Sequence, residues 1–221
     1  MYTFNREQAV GAGGPARLDT TGAHVVTIRR ALLATARTGT KGIEMDIEGE
    51  GGEEARYINV YTHRKGGEEI VYGIGTVQSM LAILNLPTLA VGQVHSRDGT
   101  SAEGFPPLIG KRIGMLLQRR LYTKGDGSDG SSLNLVMPFH PDTRQTAGEL
   151  LERHQPALLD QRLAHLTDAD EREMAARALP GARDAFPANA PSVAPPRAAV
   201  ASGGALPFDD DIPFMPIEGI V

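Results

Sequence analysis

The sequence predicts a mainly β domain with one inserted helix, followed by short helices and an acidic tail. Three observations predict it. Apolar residues alternate with period two over three consecutive stretches joined by glycine turns. The period then changes once to that of an amphipathic helix, and returns to two for a further pair of stretches. From Pro180 onward the composition collapses into Pro, Ala, Gly and Ser.

Residues 24–37 are rich in β-branched side chains, with Val26, Ile28 and Leu32 on one parity. Gly39, Thr40, Lys41 and Gly42 supply a turn, and residues 43–50 form a second strand. There Ile43, Met45 and Ile47 face one way and Glu44, Asp46 and Glu48 the other. Gly51 and Gly52 turn the chain into a third strand at 55–63, where Ile58 and Val60 oppose Tyr57, Asn59 and Tyr61. In residues 74–86, Val77, Met80, Leu81 and Leu84 follow helical spacing until Pro87. Residues 92–110 read as a loop. Strands return at 111–124, with Ile113, Met115, Leu117 and Leu121 in phase, and at 133–139. Three strands, a helix and two strands is the element order of a five-stranded OB-fold barrel, with a mixed α+β sandwich as the alternative. Thr146 and Glu149 form a capping box for a short helix ending before Pro156. Residues 157–179 read as helical, with Leu159, Leu163 and Leu166 in phase and a second cap at Thr167. The domain reading is therefore a barrel over 1–145, a helical extension over 146–179 and a disordered linker with an acidic tip over 180–221.

The charge of −5 divides unevenly. Residues 1–145 carry 16 Lys and Arg against 15 Asp and Glu, whereas residues 146–221 carry 6 against 12. Any nucleic-acid surface on the front domain must then be a local patch. With no cysteine, thiol catalysis and thiolate zinc sites are excluded. The histidines at 24, 63, 95, 140, 154 and 165 fall in no ligand pattern, so neither metal nor cofactor is expected. No apolar run approaches a membrane span and the N-terminus lacks a secretory pattern, which favours a cytoplasmic protein with no membrane partner. "GIGTVQ" at 73–78 lacks the third glycine of a dinucleotide loop, and no nucleotide-binding or hydrolase motif occurs. A non-enzymatic role is the expectation.

Single strands are held by aromatic rings that stack on bases and by cations along the backbone. Tyr57 and Tyr61 lie on one face of the third strand beside Asn59, with Arg64 and Lys65 at its end. The fourth strand offers Arg112, Gln118, Arg120, Tyr122 and Lys124, and the first offers Arg29 and Arg37. Glu44, Asp46 and Glu48 are expected to form a solvated face that repels DNA and places the groove elsewhere on the barrel. Three carboxylates on one strand face could ligate Mg²⁺ in a nuclease, but no Lys follows an acidic residue there at a spacing of two and no His joins them, which favours the solvated face.

The tail residues Asp209, Asp210, Asp211, Ile212, Pro213 and Phe214 join a carboxylate run to an aromatic anchor, a pattern suited to weak, exchangeable recruitment. This segment resembles the acidic C-terminal tip of bacterial single-stranded DNA-binding proteins (SSB), although seven residues follow it here. In that family the tip docks replication, recombination and repair enzymes. Residues 20–152, with "GTKGIEMDI" and "PFHPDTRQTAGELLE", are similar to phage-type single-stranded DNA-binding proteins with an OB-fold core. The resemblance implies a protein of phage DNA replication, recombination or repair, working in a bacterial host cell. Its expected partners are single-stranded DNA and, through the tail, replication or recombination proteins. A homo-oligomer is allowed for. The rival reading is an interaction module that uses the tail and binds no DNA.

Overall fold

The computed structural model describes residues 16–172. The expected disordered linker and acidic tip at 180–221 lie outside these residues. Within them the chain is mainly β, an eight-stranded open sheet that is antiparallel apart from one short parallel pairing. The elements are β1 (Gly22–Thr35), β2 (Lys41–Gly49), β3 (Glu54–His63), α1 (Val71–Ile83), β4 (Gly92–His95), β5 (Ser101–Gly104), β6 (Arg112–Thr123), β7 (Asp129–Phe139), α2 (Ala147–Glu152), α3 (Leu158–His165) and β8 (Ala169–Asp170).

The long strand β1 serves two neighbours. Its first half pairs with β6 and its second half with β2, while β3 extends the sheet beyond β2 and β7 extends it beyond β6. A bulge between Ile28 and Arg30 resets the side-chain alternation. Ala31 therefore enters the core and Leu32, expected there, is only half-buried. Ile43, Met45 and Ile47 of β2, Ile58 and Val60 of β3, and Ile113, Met115 and Leu117 of β6 fill the core as their alternation requires. Leu133 and Leu135 of β7 and Met80 and Ile83 of α1 complete it.

The helix begins three residues earlier than its periodicity suggests; Met80 is buried and Val77 and Leu84 pack against the core as expected, while Gly73, Thr76 and Ile83 are also buried. Gly73 is the reason. A Cβ there would stand 1.7 Å from the Tyr61 carbonyl oxygen, so the first turn of α1 rests directly on the β3 backbone. The Tyr72 hydroxyl, on the same turn, donates to the Val136 carbonyl of β7.

Two further expectations are corrected. The stretch 92–110 contains the hairpin β4–β5, which pairs with β1 with Gly104 opposite Leu32 and the Phe105 N–H donating to the Ala31 carbonyl at 2.9 Å. Its inward signal is little more than Val94, too sparse to show as alternation. Beyond α2, whose Thr146–Glu149 capping box is formed, the helix ends at His165, and residues 173–179 of the expected helical stretch lie outside the described residues. Thr167 caps no helix there. The chain extends and Ala169–Asp170 adds a parallel strand to β6. Leu159 packs with Leu116 and Phe139 in a second cluster, on the face of β6 opposite the main core. Among the described residues no helix is long and apolar enough to cross a membrane.

Candidate nucleic-acid interface

The outward face of β1, β2 and β3 carries the chemistry. Side chains on one face of neighbouring strands share one surface, so the outward residues of β2 must sit beside those of β3. Glu44 is opposite Asn59 in the ladder, and the backbone N–H of Tyr57 reaches Asp46 at 3.3 Å. The acidic row and the tyrosines thus occupy the same surface, against the expectation that the groove lies elsewhere.

The acidic row is not solvated either. Asp46 is only 7% exposed. Arg97, at the tip of the β4–β5 hairpin, grips it through two hydrogen bonds of 2.6 and 2.9 Å and also reaches Glu44 at 2.8 Å. Arg30 approaches Asp46 at 3.3 Å, and Arg29 holds Glu48 at 2.7 and 2.9 Å. The β1 bulge allows both arginines, adjacent in sequence, to reach this face. Three carboxylates therefore meet three guanidinium groups, and the row is neutralised. Among the described residues no group of three or more His, Asp or Glu side chains is placed to hold a metal ion.

Tyr57 and Tyr61 stand out from this surface at 57% and 40% exposure. Tyr57 occupies a second bulge, where the register against β2 slips between Met45 and Ile47. Its φ is +64°, a left-handed conformation that costs a non-glycine residue about 1–2 kcal/mol. Three contacts hold it there. Its N–H donates to Asp46, its carbonyl accepts from the Asn59 side chain at 3.0 Å, and the Arg97 guanidinium lies 3.8 Å from its ring centroid. Asn59 is thereby committed to the backbone of the bulge.

Beyond Tyr61 the surface turns basic. Arg37 in the β1–β2 turn, Lys41 at the start of β2, and Arg64 and Lys65 after β3 are all exposed. Among the described residues these four make no ion pair. The fold brings them to one end of the sheet. Lys41 is opposite His63 in the ladder, and the Lys65 stem passes over Gly39, which sits at φ +89°. A Cβ at Gly39 would come within 2.7 Å of that stem. Glu68 and Glu69 lie in the same β3–α1 turn and are exposed.

The remaining candidates are placed elsewhere. Arg112 is bound to Glu50 and Asp142, each at 2.7 Å. Arg120 is paired with Glu171, and Gln118 donates to the Thr167 carbonyl at 2.9 Å. The segment after α3 therefore covers this face of β6. Tyr122 shares that parity, packed over Gly130, and Lys124 lies in the β6–β7 turn. The fourth-strand set is thus separated from Tyr57 and Tyr61 by its place in the sheet. Sequence reasoning missed Arg30, Lys41 and Arg97. For Arg97 a signal existed, since Asp98 and Gly99 form a hairpin-turn pair.

No protein-family model matches the chain, and no curated protein matches it.

Proposed function

We propose that this protein coats single-stranded DNA without sequence preference and without enzymatic activity, as part of phage DNA replication, recombination or repair. The observation that carries the reading is the pairing of two exposed tyrosines on one strand with four exposed, unpaired cations at the end of the same surface. Rings that stack on any base and cations that follow any backbone bind without reading sequence.

The strand order supports an OB-fold barrel beneath this surface. β1, β2 and β3 form a meander, α1 follows, and β6 and β7 return to pair with the first half of β1. Arg17 bridges the start of β3 at Glu54 and donates to Ser131 on β7, and Tyr72 ties α1 to β7 farther along. These links draw the two outer strands toward closure around the core. OB-folds bind oligonucleotides on the face of their second and third strands, with the first turn as a flank. Tyr57, Tyr61 and Arg37 occupy those positions. In this reading the acidic tip, Asp209 to Phe214, recruits partner enzymes.

Anisotropy titration of labelled oligo-dT and of a matched duplex, with and without Mg²⁺, tests the reading. Single strands bind in preference to duplex and remain uncut. Tyr57→Ala combined with Tyr61→Ala weakens oligo-dT binding by about 2–6 kcal/mol. Undiminished binding by a folded double variant removes this face from the site, and no DNA binding at all favours a pure interaction module.

A further inference from the structure

The β4–β5 hairpin is absent from the five-strand scheme, yet its tip reaches across β2 to touch Tyr57. Arg97 is held by bonds of 2.6, 2.8 and 2.9 Å to Asp46 and Glu44, and its guanidinium lies against the Tyr57 ring. The tip that presents it is itself fixed. The Asp98 carboxylate accepts from the hydroxyls of Ser96 and Thr100 and from the Thr100 N–H, and these bonds hold its pKa down to about 2.

Resting on the single-strand reading, we infer that Arg97 is a positioning residue for base stacking, setting the Tyr57 ring from one side while a base stacks on its open side. Two alternatives fit the geometry less well. If a base displaced Arg97, buried Asp46 would lose its two shortest bonds and keep only the 3.3 Å contacts to Arg30 and to the Tyr57 N–H. If Arg97 served only to neutralise the acidic row, its seat over the Tyr57 ring, 3.8 Å from the centroid, would be unnecessary. A side chain bonded to two carboxylates and seated over an aromatic face is a rigid support. It removes rotamer freedom from a tyrosine that would otherwise lose that freedom on binding. The same support explains how Tyr57 stays in a strained backbone conformation.

The test is a double-mutant cycle on oligo-dT affinity, with thermal melts confirming folding. Tyr57→Ala alone weakens binding about tenfold. Arg97→Gln alone weakens it about fivefold, and in the Tyr57→Ala background it adds less than twofold, because its effect runs through the ring. Arg97→Lys keeps the charge without the planar guanidinium and recovers less than half of the loss. A triple variant, Arg97→Gln with Glu44→Gln and Asp46→Asn, removes the unpaired charges and keeps the fold testable if Arg97→Gln alone is unstable. It stays weakened. Recovery of full affinity in the triple variant, or additivity in the cycle, overturns the inference while leaving the single-strand reading intact. No effect of Tyr57→Ala overturns the reading beneath it.

Discussion

Replacing Arg37, Lys41, Arg64 and Lys65 together by Gln should flatten the salt dependence of single-strand binding. Each phosphate neutralised on a single strand contributes about 0.7 to the slope of log K against log salt. Four cations with no carboxylate partner among the described residues can contribute up to about 3 units, or about fifty-fold in affinity over a fourfold rise in salt. The comparison set is Arg29, Arg112 and Arg120, which are bound to Glu48, to Glu50 and Asp142, and to Glu171. A phosphate contact by any of these must first displace a carboxylate, so their Gln variants should lower the slope by less than about 1 unit. The assay is oligo-dT anisotropy at four or five salt concentrations for the wild type and both sets. An unchanged slope in the first set, or a larger loss in the second, would refute the assignment of the basic end as the backbone track.

Tyr57→Gly should be more stable than Tyr57→Ala by about 1 kcal/mol, since only glycine adopts φ +64° without strain, while both lose about 1–3 kcal/mol of single-strand affinity. Equal stability in urea would mean that the bulge relaxes. The Glu149 carboxyl is held down to about 2; burial would raise it, but the N–H groups of Leu158, Thr146 and Ala157 and the Thr146 hydroxyl outweigh that. Its stabilisation is therefore complete above its ordinary value near 4.3 and is lost as pH falls toward 2, so the stability gap between wild type and Glu149→Gln should close over that range. A gap constant from pH 6 to pH 3 would contradict this. On the proposed reading, in which Asp209, Asp210 and Asp211 compete with phosphates for the cations, deleting residues 206–221 should tighten oligo-dT binding, most at low salt. Equal affinities at low salt would exclude that competition.

The regular part of the fold was legible because it rests on one-dimensional pattern. Ile43, Met45, Ile47, Ile58 and Val60 enter the core by simple alternation, and Thr146 with Glu149 marks its helix by hydrogen-bonding spacing alone. What was illegible depends on pairs distant in sequence. Nothing near Asp46 in the chain announces Arg97, fifty-one residues on, so a buried ion pair looked like a solvated strand face. Bulges have the same effect. The slips at Arg29 and Tyr57 change which residues face outward, yet neither position carries the glycine that would flag one. Tyr57 and Tyr61 were readable as a pair from their spacing. The cations were readable only as a pool, and the fold divides that pool into paired and unpaired members.

The most direct measurement of the central claim is ultraviolet crosslinking of oligo-dT to the full chain, followed by peptide mapping of the adducts. Adducts are expected on the β3 segment 54–63, at Tyr57 and Tyr61, and are lost when both are replaced by Ala. Adducts concentrated on β6, at Tyr122 and its neighbours, would contradict it.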